Sequence, residues 1–259
     1  MNRKAEILYK LGESLAAGMY EDENASIAER YGRGLRRYFE HAGPPPENGL
    51  LYPTLKQNIW RLSVCHVRFH YSYSFHIDAD GLRRAGEERL DDPFEKELLE
   101  RIIGELTFFR SSLIAPRYRI GGNGWTHTVL NYPRILREGL GRYIERVNAM
   151  SASPLKKALQ DTLKGICSFL KRSPGTIRDE VMNPAADFRS AIRSFNFFFA
   201  LDAYDSAGRF DDYLGEYYQG EKDASAYLEE LFQTMDIHCG WHLLHTSKYP
   251  EFTALCLKA

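Results

Sequence analysis

What the chain does not carry narrows it first. Its four cysteines, Cys65, Cys167, Cys239 and Cys256, lie far apart and form no C-x-x-C pair. That spacing argues against a disulfide framework or a thiolate zinc site, and buried reduced thiols are the ordinary reading. Neither charge is in excess, since 34 basic and 35 acidic residues leave a net charge of −1. The electrostatic footprint of a nucleic-acid or membrane-surface binder is therefore missing. No apolar run approaches the ~20 residues of a membrane span. The opening Met1 to Glu6 is charged and has no apolar signal region behind it, which reads as cytoplasmic. No G-K-[ST] follows a glycine-rich loop, and H-E-x-x-H is absent, so P-loop and zincin chemistry have no sequence support.

What remains is 259 residues, 44% hydrophobic, enough to build a substantial core. The pattern is read as a single domain over 1–259, mainly α, with many helices and few strands. Residues 3–19 place Ile7, Leu8, Leu11 and Leu15 on one helical face. A second helix spans about 25–41, and Gly43-Pro44-Pro45-Pro46 ends it, leaving 44–53 as a stiff connector. At Asp92 a cap, Pro93 in the first turn and Glu95 form a capping-box pattern, followed by a stripe of Phe94, Leu98, Leu99, Ile102, Ile103 and Leu106. Further helices are expected over 133–148, 154–171 (Ser153 as cap) and 184–201 (Asn183 as cap), and from Ala224 to Phe232. The Phe188, Phe195 and Phe199 rings repeat at helical spacing, which marks core packing.

Two histidine patterns invite a metal reading. Residues 66–77 alternate as a strand, with His66, His70 and His76 on one face. Positions i and i+4 of a strand lie ~13 Å apart, too far for one ion, so a solvated face is the simpler reading. His238 and His242 would share a face on a helix, with His245 next and Cys239 between. Gly240 weakens that helix, and no further ligands are identifiable. No metal ligand and no catalytic residue is assigned.

The stretch richest in chemistry is Gly208-Arg209-Phe210-Asp211-Asp212-Tyr213-Leu214, followed by Gly215-Glu216-Tyr217-Tyr218. Taken alone it is a helix start, capped by Asp205 or Ser206, with two carboxylates near the positive end. It also resembles the Gly-Arg-Phe/Leu-Asp-Gln-Tyr-Leu-Tyr-Pro-Tyr-Tyr segment of glycyl radical enzymes of the pyruvate formate-lyase type. Gly208, Arg209, Phe210, Asp211, Tyr213, Leu214, Tyr217 and Tyr218 match, while Asp212, Gly215 and Glu216 depart. Further segments fall in the same order. His127, Thr128, Tyr132, Leu136, Gly139 and Leu140 match a Gly-His-Thr-x-Pro-Asp-Tyr segment and its helix, with Leu130 and Asn131 departing. Phe188 and Ala191 match a later helix, and Thr253, Leu255, Cys256, Leu257 and Ala259 match a final one. The matches cover roughly 118–259, and residues 1–117 carry no placeable motif.

The resemblance implies the N-terminal part of an α/β barrel and a radical lyase or dehydratase of anaerobic metabolism. In such enzymes a backbone glycyl radical, installed by an activating enzyme that uses S-adenosylmethionine, passes to a cysteine on a finger loop. Both loops follow the last matched segment, and neither is identifiable in this chain. The resemblance thus implies an incomplete piece, inactive alone and bearing no cofactor. It would depend on a C-terminal half or partner chain, with a small-molecule substrate in the complete enzyme and a tendency to self-associate. Arg209, Asp211 and His127 are the candidate substrate-binding residues. The plainer alternative is that Arg209 and Asp211 pair only to hold the helix start. A non-catalytic helical binding or structural module is the second reading of the whole chain.

Overall fold

A computed structural model describes residues 2–54, 64–68, 74–113, 129–202, 204, 206–238, 240–245 and 248–259. The described residues are mainly helical, with only short strands. Packing divides the chain into two compact units, between which it passes repeatedly. Unit 1 comprises Met1–Gly43, Trp60–Thr126 and Arg146–Phe169; unit 2 comprises Pro44–Ile59, His127–Glu145 and Leu170–Ala259.

In unit 1 the expected first helix is two helices, α1 (Arg3–Lys10) and α2 (Ser14–Tyr20). The break falls at Gly12, whose φ of +83° is a backbone conformation that glycine adopts freely. Asn2 caps α1 by accepting from the Lys4 amide, and Ser26 with Glu29 forms a capping box on α3 (Ile27–His41). Within the stretch 66–77 the described residues belong to two strands. β1 (Cys65–Arg68) and β2 (Ser74–Ile77) pair antiparallel with Cys65 opposite Ile77 and His66 opposite His76, while His70 lies outside the described residues. The buried Glu13 carboxylate accepts from the Val64 and Cys65 amides and so seats the start of β1.

Helix α4 (Ala79–Arg89) leads to α5 (Pro93–Leu113), where Leu98, Leu99, Ile102, Ile103 and Leu106 are buried as expected. Two details at the start of α5 differ. Phe94 is exposed, and Glu95 reaches Arg3 at 2.7 Å and Lys10 at 2.6 Å instead of closing a capping box. Two cations on a nearly buried carboxylate outcompete one backbone amide.

Unit 2 is built around α9 (Phe188–Leu201), preceded by α8 (Gly175–Met182). Phe188, Ala191, Ile192, Phe195 and Phe199 are buried, so the aromatic repeat is core. The cap of α9 is Asp187, which closes a reciprocal box with Ser190. Asn183 instead terminates α8, its side chain donating to the Asp179 carbonyl. Arg193, 3% exposed, joins Glu180 and Glu47 and donates to the Leu50 carbonyl. The segment read as a connector is therefore partly core. Leu51 and Tyr52 are buried, and the Glu230 carboxylate accepts from the Leu50 and Leu51 amides.

The remaining helices are α6 (Tyr132–Ala149), α7 (Pro154–Arg172), α10 (Phe210–Leu214), α11 (Ala224–His238) and α12 (Pro250–Cys256). No helix among the described residues is long and apolar enough to cross a membrane.

Candidate functional site

The Gly-Arg-Phe-Asp segment sits at the end of a short parallel ladder in unit 2. Strand β3 (Ser206–Gly208) pairs with β4 (Trp241–His242), and Val129 bridges Ser206 in the same sense. Of the two expected helix caps, Ser206 is thus strand and Asp205 lies outside the described residues. Gly208 has φ +62°, and a Cβ there would lie 2.8 Å from Val129 Cγ1. The glycine therefore serves both the backbone turn and the close approach of the neighbouring segment. The Gly208 carbonyl accepts from the Leu243 amide at 2.8 Å, and the chain then turns through Arg209 into the five-residue α10.

Asp211 is 1% exposed. Its Oδ2 accepts from the His245 amide at 2.7 Å and from Thr253 Oγ1 at 2.8 Å. Its Oδ1 is buried with no hydrogen-bond partner among the described residues. Asp211 thus joins α10, the loop after β4 and α12. No hydrogen bond or ion pair joins it to Arg209 among the described residues, so the expected pairing of these two side chains does not form.

Tyr213, two residues on, donates its hydroxyl to the Ala207 carbonyl, and its ring stacks on Tyr132 at 5.6 Å. Burial, with the Asp211 charge adding to it, pushes the Tyr213 phenol well above its ordinary pKa. Cys256 in α12 is pushed up to about 12 by burial and then by Asp211. A thiol so held stays protonated near neutrality and is a poor nucleophile.

Arg209 is exposed and borders an open pocket of about 270 Å³. Val129, Leu130, Pro133 and Tyr213 give the pocket its apolar wall, while Arg137, Lys248, Asp212 and Glu216 carry the other charges. Arg137 pairs with Glu216 at 2.8 Å, and His245 Nδ1 lies 3.5 Å from Asp212 Oδ1. Helix α6 supplies Pro133 and Arg137. It bends at Gly139 (φ +68°), where a Cβ would meet the Asn183 backbone at 2.5 Å.

His127 lies outside the described residues, as do the glycine-rich stretch 121–124 and Cys239. The helical histidine face does not exist, because α11 ends at His238, Gly240 turns the chain and His242 belongs to β4. His238 stacks on Tyr204 at 4.4 Å and His242 on Phe232 at 5.3 Å. His242 is packed by its ring faces, and that desolvation lowers its pKa while Asp211 opposes the shift. No group of three metal-binding side chains occurs among the described residues.

Sequence reasoning assigned no role to Thr253, Arg137 or Lys248. Thr253 stood in a matched segment, yet nothing local ties it to a carboxylate 42 positions away. The i, i+4 spacing of Pro133 and Arg137 places them on one helical face, a signal that was available.

No protein-family profile and no curated protein matches the chain. Among solved structures it is similar to one described as "1,2-propanediol Dehydration in Roseburia inulinivorans; Structural Basis for Substrate and Enantiomer Selectivity". The TM-score is 0.52 at 15% identity, and the match covers 90% of this chain. The chain spans 39% of the length of the one it matches. At that identity the likeness establishes a shared fold.

Proposed function

We propose that this chain is the N-terminal portion of a glycyl radical enzyme of the pyruvate formate-lyase type, a radical lyase or dehydratase. One coincidence carries the reading. Motif matches in family order pointed to this class of enzyme, and a fold comparison that uses no motif led to a structure described by the dehydration of 1,2-propanediol. The matched Gly-Arg-Phe-Asp segment is also closely held by its surroundings, with Gly208 against Val129 and Asp211 bound to Thr253.

In this reading the reactive cysteine and the radical glycine belong to sequence outside this chain, and the radical would supply the substrate activation. Cys256 fits no nucleophilic role, since burial holds its thiol protonated. The contribution of this chain is to the pocket wall, through Arg209 as a donor fork, while the buried Asp211 braces the corner that carries it; His127 is proposed as a further substrate-binding residue. A C-terminal half or partner chain completes the enzyme. Until then exposed side chains such as Leu243 and Leu257 favour self-association. The working environment is anaerobic and cytoplasmic.

Two measurements test this. The isolated chain, treated with an activating enzyme and S-adenosylmethionine, should give no glycyl doublet in electron paramagnetic resonance and no lyase or dehydratase turnover; a doublet would overturn the reading. With the missing half supplied in trans, Arg209→Ala should lower turnover while leaving assembly unchanged. Lost assembly would assign Arg209 a structural role instead.

A further inference from the structure

We propose that the open pocket beside Arg209 binds a small organic monoanion, a carboxylate with a short apolar tail, held by Arg209 and Lys248. The site is argued from unit 2 alone, and it shares Arg209 with the radical-enzyme reading without depending on that reading.

The argument begins with which charges are already matched. Three cations border the pocket: Arg137, Arg209 and Lys248. Arg137 is taken up by Glu216 at 2.8 Å. The Arg209 guanidinium makes no hydrogen bond or ion pair among the described residues, and the Lys248 ammonium only rides over the Tyr249 ring at 5.1 Å. Two cations unmatched by any carboxylate therefore open on one concavity. An arginine fork and a lysine point charge together suit a carboxylate, which accepts two parallel N–H bonds and a third donor.

The other walls set the class of ligand. Val129, 52% exposed, stands with Leu130, Pro133 and Tyr213 as an apolar side for a short chain or ring. Asp212 shares the pocket and would repel a dianion, so a monoanion fits better than a phosphate monoester. A volume of about 270 Å³ lies just below the range of drug-sized sites, which limits the ligand to a few heavy atoms.

The probe is butyrate, with n-butanol as a neutral analogue and inorganic phosphate, held at a pH well above its second ionisation, as the dianion. Binding is followed by the methyl resonances of Val129 and Leu130 and the side-chain Nε–H of Arg209. Butyrate should shift all three saturably in the millimolar range, and butanol should leave the Arg209 signal in place. Arg209→Ala should weaken butyrate about tenfold, the loss of one charge-assisted contact. Lys248→Ala should weaken it less, and Asp212→Asn should tighten it. Arg178→Ala, on the exposed side of α8, should change nothing. Equal affinity for butyrate and butanol, phosphate binding as tight as butyrate, or a butyrate affinity unchanged by Arg209→Ala would overturn the proposal. None of these outcomes bears on radical formation in the complemented enzyme.

Discussion

Thr253 Oγ1 stands 2.8 Å from Asp211 Oδ2, closing a contact between residues 42 positions apart in the chain. The same hydroxyl lies 3.1 Å from the Tyr249 carbonyl, but it has one proton, and the shorter, charge-assisted bond goes to the carboxylate. Asp211 is thereby a cross-brace as well as a member of the matched motif.

Thr253→Val keeps the shape of the side chain and removes the donor. It leaves a buried carboxylate short of a partner, so it should destabilise the protein by about 1–3 kcal/mol. Thr253→Ser should retain most of the stability. Urea denaturation followed by circular dichroism measures both, and a valine variant as stable as the serine variant would remove the brace from the account.

Gly208 and Gly139 both have positive φ, yet they should respond differently to alanine. Strain at a positive φ costs about 1–3 kcal/mol for a residue with a Cβ. At Gly208 the new Cβ meets the Val129 side chain, so Val129→Ala should recover part of the loss. At Gly139 it meets the backbone of Met182 and Asn183, which no side-chain trimming relieves. The double variant Gly208→Ala, Val129→Ala decides this, and no recovery relative to Gly208→Ala alone counts against the packing explanation.

Glu29 should make α3 sensitive to acid. The Ser26 hydroxyl and amide, with Lys157 beside them, hold its carboxyl at about 2, below the ordinary 4.5. A carboxylate with a depressed folded pKa stabilises fully above its unfolded value and loses that effect as pH falls through the folded one. The stability gap between the native chain and Glu29→Gln should therefore be full above pH 4.5 and close towards pH 2. A gap that does not change with pH would show that only the shape of the capping box matters.

The helices were legible because their signals are local. The 3.6-residue repeat and a starting proline placed α5 and α7, and the aromatic repeat of α9 announced its burial. What misled was competition between partners that the sequence presents as equivalent. Asn183 and Asp187 are both good caps, and Ser190, three residues after Asp187, decides for the latter. Glu95 had the spacing of a capping box, but Arg3 and Lys10 arrive from another helix. In the candidate site Arg209 and Asp211 were named from the motif alone. Their separation, one at an open pocket and one in the core, depends on Thr253 and His245, which come to Asp211 from later in the chain.

The ladder of Val129, β3 and β4 runs parallel throughout, so helices rather than tight turns join its members. Such a ladder yields no contact energy until long loops have closed, and loop closure must come first. The Gly-Arg-Phe-Asp corner should accordingly form late in folding. The hairpin of β1 and β2, joined through a short stretch, can form early. The residues most closely tied to the proposed activity are then the last to acquire their native surroundings, and in amide exchange they should open before the aromatic core of α9 does.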